Sequence, residues 1–230
     1  MDDKSNMPDA KTLSRWFSSA RVSRYANAPN PAALYIWNER LAKAYLEDVA
    51  HVEVLLRNFM SIRLANDCER RSESHERNWY DHPNLYNLKS PFEQSVQKAK
   101  LRLSREGKRS SYDHITAALS MDVWRFLLVK RLEPTIWRAL RDKRNGGMPH
   151  YAGTCRADFE MHVIEVYKLR NRCSHQEHLV ADIEKVEREQ LDTFSNSLLW
   201  IADKIDPQAA EWIFANSRVE EVRNQRPKRS

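Results

Sequence analysis

Apolar residues recur at spacings of three and four along most of this chain, which is the period of an amphipathic helix. The clearest stripe follows Asn30-Pro31, a pair typical of a helix start, and predicts one long helix to about Leu64. The members of this stripe are Trp37, Leu41, Tyr45, Val49, Val52, Leu56 and Phe59. No alternation is long enough to build a sheet, so the pattern predicts an all-α protein.

Polar or proline-containing breaks separate the other predicted helices. We expect these helices at 12–27, 90–105, 112–130, 133–144, from about 156 into the segment RNRCSH, at 181–204 and at 207–222. Residues 66–90 lose the helical period and are predicted to form a loop. The expected organisation is a loose N-terminus at 1–11, a single domain at 12–222 and a basic disordered tail at 223–230.

The amino-acid composition indicates a globular protein with a hydrophobic core. A chain of 230 residues with 41% hydrophobic residues can fill a core, and only 4 glycines argue against many tight hairpins. Cys68, Cys155 and Cys173 have no disulfide-like spacing, and no leader or membrane segment is visible, so we expect a soluble cytoplasmic protein that does not enter a membrane. A net charge of +6 is compatible with a polyanionic partner without establishing one.

The segment 169–178, LRNRCSHQEH, breaks the pattern of its own helix. Val163 and Val166 lie on the apolar face, and Arg170 occupies the position seven residues after Val163. A buried arginine is costly unless it is paired, and Glu53 is a candidate partner. Glu53 could instead form a surface pair with Arg57, four residues away, worth a few tenths of a kcal/mol.

Helix geometry restricts how Arg170 and His175 can meet. Residues five apart point roughly 140° apart on a regular helix, whereas Asn171 and His175, four apart, share a face. Three arrangements would bring Arg170 to His175. The helix could end near Ser174, the long arginine side chain could reach around, or two copies of the segment could meet across a symmetry axis.

A metal site is a weaker interpretation of the same segment. Cys173, His175 and His178 form the pattern C-x-H-x-x-H, and His162 precedes them. Structural zinc normally requires two pairs of ligands with a spacer, so we expect no metal and no other cofactor.

Two segments together resemble a known family. LYIWNERLAKAYLEDVAHVEVLLRN (34–58), followed downstream by LRNRCSH (169–175), resembles the Abi-like proteins, a bacterial abortive-infection family of the HEPN superfamily. The similarity covers about residues 13–205. It implies an HEPN-like helical bundle with additional helices, a homodimer whose motifs face each other, and metal-independent endoribonuclease activity.

The resemblance also assigns residues. Arg170 and His175 take the catalytic positions of the Arg-x4-His motif, with Asn171 beside them. The residues expected to support this motif are Glu53, Arg57, Asn58 and His178. We also expect Arg172, Lys143 and Arg144, which belong to basic stretches, to contact RNA.

These residue types suit cleavage of RNA by its own 2′-OH. A histidine can transfer protons near neutral pH, and an arginine can stabilise the crowded phosphorane. The leading hypothesis is therefore a ribonuclease of a toxin or phage-defence system. Its expected partners are RNA, a second copy of the chain, and an antitoxin or phage trigger. The alternative is a non-catalytic helical module that binds RNA or protein, with Arg170 and His175 in structural roles.

Overall fold

The computed structural model describes residues 8–153 and 155–228, and no β-strand occurs in these ranges. The prediction of an all-α protein is confirmed. The α-helices are α1 (Ala10–Phe17), α2 (Ser19–Val22), α3 (Pro31–Arg71), α4 (Ser90–Arg105), α5 (Tyr112–Ala118), α6 (Met121–Phe126), α7 (Arg138–Arg141), α8 (Arg156–Ser174), α9 (Glu184–Ile205), α10 (Pro207–Ala215) and α11 (Val219–Asn224). Among these helices, none combines the length and apolarity that crossing a bilayer requires.

The long helix α3 is the axis of the molecule. The Asn30 side chain caps its first turn by accepting from the backbone N–H of Ala33 at 3.0 Å, and Pro31 occupies the first helical position. No glycine or further proline interrupts the 41 residues, so every turn can form its backbone hydrogen bonds. The helix therefore spans about 60 Å at 1.5 Å per residue.

Helices α8 and α9 pack against α3 and against each other to form the central layer. The end of α8 lies beside the start of α3, because the N–H of Leu179 donates to Asn38 Oδ1 at 2.8 Å. At the start of α8, buried Arg156 donates to the Leu128 carbonyl, in the segment that packs on the far half of α3. Helices α3 and α8 are therefore antiparallel.

A second group of helices covers the C-terminal half of α3. Helices α4 to α7, with short 3-10 and π-helical turns between them, surround a cluster of aromatic rings. Trp79 is its centre and contacts Tyr86, Phe92 and Trp124 at ring-centroid distances of 6.4, 5.6 and 5.8 Å. Because Trp79 and Tyr86 are buried, the segment that was predicted to be a loop is a structural part of the core.

Several predicted boundaries were wrong. The helix at 12–27 divides at Ser18, whose φ of 72° ends α1 without a glycine or proline to mark the break. Helix α3 continues to Arg71 rather than stopping near Leu64, since its buried face extends through Asp67 and Cys68. The long helices predicted at 112–130, 133–144 and 207–222 are each divided into shorter helices and turns.

The ends of the chain are only partly described. Residues 1–7, within the predicted loose N-terminus, and residues 229–230, within the predicted disordered tail, lie outside the described residues, and α1 begins at Ala10. Helix α11 continues to Asn224, and Arg226 forms an ion pair with buried Glu187.

Candidate functional site

The motif segment lies at the C-terminal end of α8, where the helix stops in a defined way. The N–H of Gln176 donates to the Cys173 carbonyl at 3.2 Å, and the N–H of Glu177 donates to the Arg172 carbonyl at 2.7 Å. This pair of bonds is the Schellman arrangement, which usually has glycine at the left-handed position. Here Gln176 occupies that position with φ 54°. The helix ends near Ser174, as the first of the three predicted arrangements requires, but no hydrogen bond joins Arg170 to His175 in the described residues.

The N-terminal helices clamp the chain that follows. Arg21 donates to both the backbone carbonyl (3.2 Å) and Oε1 (2.8 Å) of Gln176. Three residues further, Arg24 forms an ion pair with Asp182 at 2.7 Å. These contacts stabilise the unusual backbone at Gln176 and bring two more arginines to the end of α8.

His178 is held on the inner side of this loop. Its Nδ1 lies 2.8 Å from the hydroxyl of buried Tyr25, and the two rings meet edge to face with centroids 5.0 Å apart. Burial, with smaller contributions from Arg24 and Arg21, lowers the pKa of His178 below its ordinary value. His178 is therefore neutral at pH 7 and has one nitrogen engaged by Tyr25.

A cleft of about 520 Å³ opens where these elements meet, and we call it the motif cleft. Its polar lining includes Arg21, Arg24, Arg172, His175, Gln176, Glu177, His178 and Gln190. His175 is exposed, and the side chains of His175 and Arg172 form no hydrogen bond or ion pair with the rest of the described chain. The cleft thus presents an accessible imidazole beside three guanidinium groups.

Arg170 and Asn171 lie outside the lining of this cleft. Arg170 is half-buried, and its Nη1 donates to Asn171 Oδ1 at 3.3 Å. The expectation that Arg170 interrupts the apolar face was wrong, because the face continues through buried Leu169 and Cys173. The position seven residues after Val163 is Arg170, which lies at the edge of that face. The positions three and seven residues after Val166 are Leu169 and Cys173, which lie on the face itself.

Glu53 does not pair with Arg170. No ion pair joins Glu53 to Arg170 or to Arg57 in the part of the chain that the structure describes, and Arg57 Nε donates to Asn58 Oδ1 at 3.4 Å instead. Asn38 is the residue of α3 that contacts the loop after the motif, through the N–H of Leu179. Glu53 lies fifteen residues further along α3, a distance of about 22 Å. The upstream polar residues are therefore separated from the motif cleft within one chain.

The cysteine of the segment is a core residue. Cys173 is buried against the helix layer, and burial raises the pKa of its thiol to about 12. A thiol at neutral pH is a poor metal ligand and a poor nucleophile. His162 stacks on Trp200, with centroids 4.2 Å apart, and its Nδ1 lies 3.1 Å from Ser197 Oγ. Within residues 8–153 and 155–228, no three histidine, cysteine or acidic side chains are grouped to hold a metal.

Lys143 and Arg144 lie far from the motif cleft. They belong to a 3-10 turn beside a groove of about 600 Å³ between the end of α3 and α7, which we call the arginine groove. Its charged lining consists of Asp67, Arg70, Arg71, Glu133, Arg138, Arg141, Asp142 and Arg144. Hydrogen bonds from Arg144 hold the pKa of Asp142 at about 2, so this carboxylate is ionised at neutral pH.

Sequence reasoning missed four residues of the motif region. Arg21 and Arg24 reach it from the other end of the chain, and only their basic character was visible beforehand. Asn38 and Glu39 lie behind the cleft, and Glu39 has a buried oxygen without a hydrogen bond in the described residues. The signal for both was present, because Asn38-Glu39 follows Trp37 within the most apolar stretch of α3.

The motif cleft brings together groups that can bind a phosphate and transfer a proton. Arginine forks match phosphate oxygens, and an exposed imidazole without an internal partner is free to give or accept a proton. No protein-family model matches this sequence, and neither a curated protein nor a solved structure matches it.

Proposed function

We propose that this protein is a metal-independent endoribonuclease and that RNA is cleaved in the motif cleft. The observation that carries the proposal is the accessible His175 imidazole beside Arg21, Arg24 and Arg172 at the end of α8. The resemblance of segments 34–58 and 169–175 to HEPN proteins of abortive-infection systems supports the same reaction.

In the proposed reaction, the 2′-oxygen of the RNA loses a proton and attacks the adjacent phosphorus. The bond from phosphorus to the 5′-oxygen breaks, and the leaving oxygen takes up a proton. The products are a 2′,3′-cyclic phosphate and a free 5′-hydroxyl. His175 serves as the proton-transfer group, because a positioned acid or base contributes 10²- to 10⁴-fold to such steps.

The arginines have different proposed tasks. Arg172 lines the cleft and forms no hydrogen bond or ion pair in the described residues, so its proposed task is to bind the phosphate of the incoming strand. Arg170 lies outside the lining of the motif cleft of its own chain. The resemblance places it at the catalytic position, so its proposed task is to stabilise the charge that develops on the phosphorane at the facing cleft of a second copy. Asn171, which accepts from Arg170, positions that guanidinium.

A second copy of the chain is part of the proposal. Each motif cleft offers one exposed histidine, since His178 is neutral and engaged by Tyr25. Two facing clefts would supply an acid and a base to one scissile phosphate. Such an enzyme suits a toxin or a phage-defence protein that is restrained by an antitoxin or activated by a phage trigger.

The test is cleavage of a fluorescently labelled RNA by purified protein. We expect His175→Ala to lower the rate at least 100-fold while the affinity for RNA changes little. His150→Ala is the matched control, because His150 is also exposed and lacks a hydrogen bond or ion pair in the described residues. Equal rates for both variants would remove His175 from the reaction, and absence of cleavage by the wild-type protein would favour the non-catalytic binding module.

A further inference from the structure

The arginine groove lies at the opposite end of α3 from the motif cleft. Asp67 lines the groove, and Asn38 contacts the loop beside the cleft. Asp67 comes 29 positions after Asn38, which corresponds to about 44 Å of helix. A ligand in the groove is therefore too far away to be part of the motif cleft of the same chain.

The walls of the groove are tied together by polar contacts. Arg70 donates to Asp67 (3.0 Å), Asp142 (3.2 Å) and Asn145 Oδ1 (2.9 Å). Asn145 is fully buried and donates to Asp67 Oδ1 (3.2 Å) and the Ala139 carbonyl (2.9 Å). This network connects the last turns of α3 to α7 and fixes the width of the groove before any ligand binds.

Each carboxylate of the groove already has a cationic partner. Asp67 binds Arg70 and also Arg71 at 2.8 Å, and Asp142 binds Arg144 at 2.7 Å. The third carboxylate, Glu133, forms an ion pair with Arg156 at 3.2 Å. No acidic group of the lining is left to neutralise further positive charge.

Two guanidinium groups of the arginine groove have no hydrogen-bond or ion-pair partner among the described residues. Arg138 and Arg141 are exposed, line the groove and form no hydrogen bond or ion pair in the described part of the chain. They are three residues apart on α7, so their Cβ atoms lie about 5–6 Å apart on one face. Arginine forks bind phosphate oxygens with two parallel hydrogen bonds, and a pre-formed groove spares the cost of ordering its walls.

We propose that the arginine groove binds phosphate groups of a nucleotide or a nucleic acid through Arg138 and Arg141. The site is separate from the motif cleft and does not depend on the proposed ribonuclease activity. It also changes the expectation for Arg144, whose guanidinium is committed to Asp142 and is part of the wall.

Binding to two probes tests the proposal and separates the sources of phosphate. One probe is a short fluorescein-labelled DNA single strand, measured by anisotropy, and the other is ATP, measured by calorimetry. DNA lacks the 2′-OH, so the proposed cleavage cannot affect the result. The double variant Arg138→Gln, Arg141→Gln is compared with Arg105→Gln, Arg109→Gln, which removes the same charge from exposed residues outside the groove.

We expect the groove variant to bind at least one probe about tenfold more weakly than the control variant does, which is about 1.4 kcal/mol. For DNA, the slope of log K against log salt should fall by about 1.4, the amount for two phosphate contacts to a single strand. Loss of ATP binding alone identifies a nucleotide site, and loss of DNA binding alone identifies a nucleic-acid site.

Two results would overturn the proposal. The wild-type protein could bind neither probe, or both double variants could weaken binding equally, which would reflect overall charge. If the glutamine variant unfolds, Arg138→Lys, Arg141→Lys replaces it. The lysine variant keeps the positive charge but lacks the guanidinium groups, so it should bind ATP or DNA more weakly than the wild-type protein does. Binding equal to wild type by the lysine variant would count against the site.

Discussion

The motif cleft and the arginine groove are both rich in arginine, yet they are built differently. The motif cleft contains His175 and His178, and its arginines come from α2, the following turn and the end of α8. The arginine groove has no histidine in its described lining, and a buried network fixes its walls. The comparison suggests that arginine density alone indicates phosphate binding, whereas an accessible imidazole beside it indicates a reaction.

The largest expected effect is on the rate of RNA cleavage, which should depend on the motif region and not on the arginine groove. Arg170→Gln should lower kcat for RNA cleavage 100- to 1000-fold, because it removes a group proposed to stabilise the transition state. Arg138→Gln in the arginine groove should leave kcat unchanged on a short RNA. Steady-state kinetics on both variants measures the difference, and a wild-type kcat for Arg170→Gln would assign the phosphorane to Arg172 instead.

The free energy of unfolding should be more sensitive to substitution in the arginine groove than to substitution near the motif cleft. Asp67→Ala in the arginine groove should lower the free energy of unfolding by about 3 kcal/mol, since it leaves Arg70, Arg71 and buried Asn145 without their shared acceptor. Asp182→Ala near the motif cleft removes an exposed pair with Arg24 and should change it little. Urea denaturation measures both, and equal losses would contradict the contrast between a network centred on a buried carboxylate and an exposed ion pair.

A smaller effect concerns substrate binding. Arg172→Gln should raise KM about tenfold with little change in kcat, because its proposed contact to phosphate is the same in the ground and transition states. The paired control is Arg125→Gln, since Arg125 is also half-buried but faces Asp122 and the Tyr167 ring. A fall in kcat for Arg172→Gln would move it into the catalytic group.

The smallest effect is on the pH dependence of stability. The pKa values of His178 and His162 are lowered in the folded protein, in both cases first by burial. The unfolded chain therefore binds protons more readily, and stability is lost as pH falls below about 6.5 toward the folded pKa values. His178→Gln should flatten part of this loss in thermal melts, and an unchanged pH profile would contradict the lowered pKa.

Local signals predicted parts of the fold well. Asn30-Pro31, Ser90-Pro91 and Asp206-Pro207 were each found at a helix start, because capping and proline geometry depend on neighbouring residues. The end of α8 near Ser174 was only one of the three arrangements that the sequence left open for Arg170 and His175. No glycine marks this helix end. Its left-handed residue is Gln176, which is stabilised by Arg21 from 155 residues away.

The candidate site was predictable only in part for the same reason. The segment 169–178 and His175 were singled out from the sequence, but the exposure of His175 and the partners distant in the chain were not predicted. Arg21 and Arg24 could not be placed from spacing, and the proposed pairing of Arg170 with Glu53 ignored the length of α3. In the sequence, Arg138 and Arg141 are two of many basic residues. Only the structure shows that Arg70 and Arg144 are paired with Asp67 and Asp142, whereas Arg138 and Arg141 have no such pair in the described residues.

The most direct test of the account is the cleavage of one RNA and of the same RNA carrying a single 2′-deoxy residue at the cut site. We expect the wild-type protein, with chelator present, to cut the RNA to leave a 2′,3′-cyclic phosphate and to leave the modified strand uncut at that position. Equal cleavage of both strands, or no cleavage of either by the wild-type protein, would contradict the proposed reaction.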